Sequence, residues 1–398
     1  MPERLQDFKA ALEAELHRIL SYWMQYDTDE QFGGYFGQID HCNTVNPAAE
    51  KGSVLNSRIL WTFSAAYRCT KNPDYLYAAH RAFDYFINHF IDKSHGGVYW
   101  SIDCTGQAAN TKKQVYAQSF GIYALSEFYR ATGAKAALQY AIDLFRLIET
   151  HSYDPVKTGY TEAFAENWQP MEDTRLSVKD ANEKKSMNTH LHILEGYSNL
   201  YHAWPDDLLK TKIGGLSQNF FEHIIDPATN HLKLFFDEDW NCKSNIISYG
   251  HDIEAAWLLQ EAAETIADAG MIERSKETAV KTAKAAKEGL DTDGGLWYEY
   301  EPAQNLLVKE KHWWPQAEAI VGFFNAWQVS GDNTYLQASL NAWDFTKKHI
   351  IDNELGEWVW GVNADYSVMT EKDKVGIWKC PYHNSRACIE IMQRAGKY

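Results

Sequence analysis

HGGVYWSID, residues 95–103, is a glycine break followed by aromatics and an acid. Alone it reads as a turn into a short β-like segment. Its weight comes from recurrence. FGGYFGQID stands at 32–40, TGYTEAFAE at 158–166, HLKLFFDED at 231–239, GGLWYEYE at 294–301 and GEWVWGVNAD at 356–365. Anchored on Gly34, Gly97, Gly159, His231, Gly295 and Gly356, the copies lie 63, 62, 72, 64 and 61 residues apart. A near-constant period of this kind marks a repeat architecture. The fourth copy has lost its glycines and is the weakest.

Outward from each copy, the apolar spacing predicts one helix before it and one after it. The first helices are expected near 3–24, 73–91, 134–150, 206–225, 271–289 and 332–351. The second are expected near 54–69, 114–131, 187–203, 251–268, 315–329 and 381–394. Breakers such as KNPD (71–74), TGA (132–134) and SGD (330–332) read as tight turns between hairpins. The second helices are richer in small residues, as crowded inner helices should be. Six hairpins without capping repeats imply closure into a ring. The expected fold is all-α, an (α/α)6 barrel with short β-like segments in the long loops at one end. No linker divides the chain, so residues 1–398 are read as one catalytic domain.

Composition narrows the function. The chain is 45% hydrophobic, 23% charged and carries a net charge of −16, against nucleic-acid or anionic-membrane partners. The N-terminus is amphipathic and charged rather than signal-like, and no run of 18 apolar residues occurs. The six cysteines form no CxxC pair and read as reduced thiols of a cytoplasmic protein. Fifteen Trp and 23 Tyr can fill a large core or stack on sugar rings.

In such a barrel every second helix begins at the long-loop end, so residues at those N-termini converge on one mouth. The stretch SYGHDIEAAW (248–257) is the richest, with His251, Glu254 and Trp257 at the start of an apolar run. The other starts supply Arg58, Tyr116, Asn188, His192, Trp314, Glu318, Trp378 and His383. Taken singly, each has a bland reading: a helix cap, a surface ion pair, a core histidine, a core aromatic. Histidines at three equivalent starts have no structural necessity, and together the set reads as a site. There is no phosphate loop, GxSxG elbow or HExxH motif. A metal site drawn from His192, His251 and Glu254 lacks local ligand spacing. Two carboxylates such as Glu254 and Glu318 would suit an inverting glycosidase, but histidines outnumber acids. Histidines titrate near neutrality and suit proton transfer at a carbon beside a carbonyl, with Arg58 stabilising the enediolate.

MNTHLHILEGY (187–197), SYGHDIEAAWLL (248–259), HWWPQAEAIVGF (312–323) and WKCPYHNSRACIEI (378–391) resemble the N-acylglucosamine 2-epimerase superfamily, most of all its cellobiose 2-epimerase branch. The resemblance covers essentially the whole chain. It implies an (α/α)6 barrel, in agreement with the repeat count. It implies epimerisation at carbon 2 of the reducing-end glucose of β-1,4-linked disaccharides, with no metal or nucleotide cofactor. His251 and His383 match the general acid/base pair, and Arg58 and His192 match residues on the open-chain oxygens. Tyr116, Asn188, Glu254, Trp314, Glu318 and Trp378 match sugar contacts, and the loop 166–186 is the expected gate. Trp257, one turn beyond Glu254, is placed with the sugar contacts. A monomeric enzyme with a small sugar substrate is expected. The alternatives are a monosaccharide 2-epimerase or aldose–ketose isomerase of the same superfamily, a hydrolase on the same barrel, and a sugar-binding protein without turnover.

Overall fold

The computed structural model describes residues 2–397. Among them the helices are α1 (Pro2–Tyr26), α2 (Ser53–Thr70), α3 (Pro73–Tyr85), α4 (Val115–Thr132), α5 (Lys135–His151), α6 (Met187–Ala203), α7 (Asp207–Asn219), α8 (Tyr249–Thr265), α9 (Ala269–Ala286), α10 (Trp313–Ser330), α11 (Asn333–His349) and α12 (Tyr382–Ala395). These fall within a few residues of the sequence expectation. The largest departures are α3 and α7, which give way to π-turns at Phe86–Phe90 and Phe220–Ile224. The wider turns carry Phe86, Phe90, Phe220 and Ile224 into the core.

The even-numbered helices pack in sequence, α2 on α4, α4 on α6, then α8, α10 and α12, and α12 returns to α2. That closes an inner ring. The odd-numbered helices lie outside it, α3 on α2, α5 on α4, α7 on α6, α9 on α8, α11 on α10, and α1 on α12. The two rings differ as their positions require. Outer α5 buries a stripe, Ala137, Ala141, Ile142, Leu144, Phe145 and Ile148, whereas inner α4 is buried on every side from Val115 to Phe128. Two glycines let inner helices touch. A Cβ on Gly196 of α6 would meet the Ser119 carbonyl oxygen at 2.7 Å, and one on Gly322 of α10 the Ile253 carbonyl oxygen at 2.5 Å.

The tight turns are built from caps. Asn72, Asp206, Asp268 and Asp332 accept backbone N–H bonds at the starts of α3, α7, α9 and α11. Lys71, Gly133 and Gly331 close α2, α4 and α10 in the left-handed conformation.

The long loops hold the repeat that the sequence displayed. Each is pinched by an antiparallel bridge: Thr28–Tyr35, Ile91–Val98, Tyr153–Tyr160, Ile225–Leu232, Leu290–Leu296 and Ile351–Trp358. The two residues before each inner helix then pair with the next copy's loop. Lys51–Gly52 pairs with Ser101–Ile102, Lys113–Gln114 with Ala163–Phe164, Lys185–Ser186 with Phe235–Phe236, Ile247–Ser248 with Glu299–Tyr300, and Lys311–His312 with Gly361–Val362. The last copy bridges to the first through Ile39 and Val375. The ring is therefore closed twice, by helices and by backbone hydrogen bonds. No helix of the described residues is long and apolar enough to cross a membrane.

A buried lysine fastens five copies. Lys51 lies 2.7 Å from Asp29, Lys113 2.7 Å from Asp92, Lys185 3.6 Å from Asp154, Lys311 2.8 Å from Asp291, and Lys379 2.9 Å from Glu357. Removing one partner of such a pair strands a charge inside the protein. The fourth copy has Ile247 at this position. There His231 takes over, its Nδ1 2.6 Å from Asp252.

Candidate active site

Counting from that lysine position puts all six inner helices in one register. Seven residues on stand Arg58, Phe120, His192, Glu254, Glu318 and Arg386. Five residues on stand Asn56, Gln118, His190, Asp252, Gln316 and Asn384. The fifth position ties helix to loop. Gln118 accepts from Val98 N at 2.6 Å, His190 from Tyr160 N at 2.9 Å, Asp252 from Leu232 N at 2.8 Å and Gln316 from Leu296 N at 2.7 Å. His190 is thus a structural histidine, its pKa lowered by burial to about 4. The seventh position faces the barrel axis and gathers charge.

A cavity of about 430 Å³ opens at the N-terminal ends of the inner helices, within the range of small-molecule sites. Arg58, Tyr116, Asn188, His192, His251, Glu254, Trp314, Trp378 and His383 all line it. So do Leu176 to Asp180, which puts the expected gate loop on the cavity wall.

Two expected sugar contacts do not line it. Glu318 lies behind His383, accepting from Trp257 Nε1 at 3.1 Å and paired with His383 Nδ1 at 2.7 Å. Trp257 is 1% exposed and faces Glu318 and Arg386 rather than the cavity. Glu318 stands at the same depth as Glu254 but is covered by His383, and Trp257 lies almost a turn beyond Glu254 on α8. Glu254 touches the cavity, but its Oε1 is committed to Arg386 at 2.7 Å.

Each histidine is oriented from behind. His192 Nδ1 lies 2.9 Å from Glu195, His383 Nδ1 2.7 Å from Glu318, and His251 Nδ1 2.8 Å from Ser248 Oγ. An ionised carboxylate at Nδ1 requires the proton there and leaves Nε2 as the free base. His251 and His383 lean on one indole, their rings 4.7 and 5.8 Å from that of Trp314. Gly250 makes room for that indole: a Cβ there would come 2.5 Å from Trp314. Burial lowers the His251 pKa to about 3. Burial, then Arg58 and Arg386, drives His383 well below its usual value. Both surroundings therefore favour the neutral imidazole, the form that can accept a proton.

Arg58 is buried with no carboxylate in ion-pair reach among the described residues. Its Nη2 donates to Tyr116 Oη at 2.8 Å, its guanidinium lies 4.2 Å from the Phe120 ring, and its Nε has no partner. Burial opposes its charge, but Tyr116, Cys380 and Tyr382 hold its pKa above the usual value. A buried, uncompensated cation is costly unless an anion forms beside it. The Asn188 Oδ1 and the indole N–H groups of Trp313 and Trp360 are likewise buried without partners at this cavity.

The sequence reading missed Arg386, Glu195, Tyr298, His312, Trp313 and Trp360. Arg386 was findable by counting seven from Lys379, and Glu195 as the i+3 neighbour of His192. The spacing of Glu254, Glu318 and His383 would admit a metal ion, whereas His192, His251 and Glu254 do not form such a cluster. In the first set, however, Arg386 Nη2 already lies 2.7 Å from both carboxylates. The guanidinium fills the cation position, so these donors do not suit a resident metal.

The N-acylglucosamine 2-epimerase family model matches residues 34–387. A cellobiose 2-epimerase of Bacteroides fragilis is 50% identical over 94% of this chain and 96% of its own. The solved cellobiose 2-epimerase of Bacillus thermoamylovorans superposes with a TM-score of 0.93 at 38% identity, over 98% of this chain and 100% of that one. A D-mannose isomerase of Marinomonas mediterranea is more distant, 22% identical over 97% of this chain and 98% of its own.

Proposed function

The chain belongs to the N-acylglucosamine 2-epimerase family, and from that premise we propose that it is a cellobiose 2-epimerase. It inverts carbon 2 of the reducing-end glucose in β-1,4-linked disaccharides, turning cellobiose into glucosyl-mannose and lactose into epilactose. The observation that carries this reading is the pair His251 and His383, both hydrogen-bonded at Nδ1 and packed 4.7 and 5.8 Å from the ring of the same Trp314.

The reducing-end ring opens to the aldehyde with one of the two imidazoles, His251 or His383, moving the ring proton. One imidazole then takes the carbon-2 proton through Nε2, leaving a cis-enediolate. Arg58 and His192 hold its two oxygens, where the unpaired guanidinium gains the anion it lacks in the free protein. The other imidazole, having taken up a solvent proton, returns it to the opposite face of carbon 2, the first imidazole gives its proton to solvent, and the ring closes. Glu318 stabilises the His383 imidazolium as a buried carboxylate does in other His-carboxylate pairs. Trp314 and Trp378 carry the sugar faces, and Tyr116, Asn188 and Glu254 contact hydroxyls. Return of the proton to carbon 1 instead of carbon 2 gives the ketose as a side product. The chain is taken to act as one catalytic domain and as a monomer. Its six unpaired cysteines fit the cytoplasm.

A proton NMR time course with cellobiose in D₂O after EDTA treatment tests this. Glucosyl-mannose carrying deuterium at carbon 2 is the expected product. No reaction with cellobiose, alongside turnover of mannose or N-acetylglucosamine, would assign the chain to the monosaccharide branch.

A further inference from the structure

Arg386 lies on α12, three residues after His383, and is 2% exposed. Its Nη1 donates to Glu195 and to the Tyr382 hydroxyl, and its Nη2 donates to Glu254 and Glu318, each at 2.7 Å. The guanidinium is sandwiched by rings, 4.4 Å from that of Tyr382 and 4.9 Å from that of Trp257. Two of its carboxylates are the ones that hold histidines: Glu195 holds His192, and Glu318 holds His383.

We propose that Arg386 is a positioning residue for the carbon-2 proton transfer, one guanidinium fixing His192 through Glu195 and His383 through Glu318. This rests on the epimerase reading above. A carboxylate at Nδ1 keeps the ring proton there and leaves Nε2 as the base. A neutral carboxylic acid at the same place donates to Nδ1, moves the ring proton to Nε2 and removes the base. Burial favours that neutral form for both acids, and Arg386 opposes it. At Glu195 it prevails, holding the carboxyl well below the usual range. Glu318, though pushed up by burial, has Arg386 as its largest opposing influence. Lysine cannot substitute, because a point charge does not serve carboxylates on both edges of a planar fork. Arg58 holds the same register position on α2 with no carboxylate to organise, so the two guanidinia divide the work: one for the substrate, one for the bases.

Arg386→Ala should lower kcat for cellobiose epimerisation by about 100-fold while KM changes little. Millimolar guanidinium chloride should restore part of kcat, and sodium chloride should not. The acid limb of kcat should also move up by about one pH unit, because His383 loses a neighbouring cation. The other groups facing His383 remain: Arg58, His192, Glu195, Glu254 and Glu318. Arg386→Lys should not rescue. Wild-type-like kcat in Arg386→Ala, or a loss indifferent to guanidinium with an unmoved pH profile, would overturn the proposal. If Arg386→Ala does not fold, Glu318→Gln is the second variant, and a normal kcat there overturns it equally. Should wild type leave cellobiose unchanged, the substrate reading fails instead, and the same comparison is run with mannose.

Discussion

Arg58 and Arg386 differ less in burial than in company. One is unpaired beside the cavity, and the other is shared among three carboxylates. Arg58→Lys should cut kcat by about 100-fold, because a point charge cannot span two enediolate oxygens. Near-normal turnover would demote Arg58 to a structural cation. His251→Ala and His383→Ala should each lose about 1,000-fold in kcat with far smaller changes in KM, since proton transfer acts in the transition state. Steady-state kinetics on cellobiose separates the two constants. That these histidines meet at one cavity was legible in the sequence, because they stand at equivalent helix starts. Trp257 and Glu318 do not line the cavity because neighbouring side chains decide what covers a helical position: His383 stands in front of Glu318, and Trp257 packs on Glu318 and Arg386. Arg386 and Glu195 escaped notice because a charge inside a helix looks like any surface ion pair until burial is known.

At the scale of the element, two features lend themselves to measurement. Gly322→Ala should destabilise the fold by about 2 kcal/mol, since its methyl would press on the Ile253 carbonyl and part α10 from α8. Denaturant unfolding with an unchanged slope would show it, and a neutral result would mean that the helices adjust freely. The second feature is Glu162, which accepts from Ser186 N at 2.8 Å and from the Thr189 hydroxyl at 2.6 Å where α6 begins. Burial raises its pKa to about 8, above the 4.5 of a free glutamic acid. The folded state therefore binds more protons than the unfolded state between these values. Its contribution to stability is complete below pH 4.5 and is lost as pH rises toward 8. Unfolding free energy should fall between pH 6.5 and 8, and Glu162→Gln should flatten that slope. Helix positions and the β-like loop segments were readable from apolar spacing, glycines and breakers, whereas the strand pairing was not, because a two-residue strand is held only by its partner in the next copy.

For the molecule as a whole, the sixfold period alone was enough to foretell the ring, since unpartnered hairpins at both ends would leave apolar faces in water. What the period could not show is how the seam is made, through α1 on α12 and Ile39 on Val375. The seam suggests a circular permutant. Lys9 Nζ lies 3.4 Å from where a Gly396 Cβ would stand, and Lys9 is about 10 Å along α1 from its start, so a flexible linker of about ten residues can join α12 to α1. A new break between Gly133 and Ala134, where nothing crowds the turn, lies opposite the cavity. Such a permutant should fold, with a lower Tm and a kcat within about threefold of the parent. Inactivity of a folded permutant would show that the far end reaches the chemistry. The fourth copy bears on how a symmetric scaffold came to handle an asymmetric molecule. It alone lacks the lysine clasp, substitutes His231 and Asp252, and leads into the helix that carries His251. A sugar has no sixfold axis, so six faithful copies would offer it six equivalent, useless poses. Specificity here is a matter of broken symmetry: the copy that departed furthest from the common pattern is one that handles the proton.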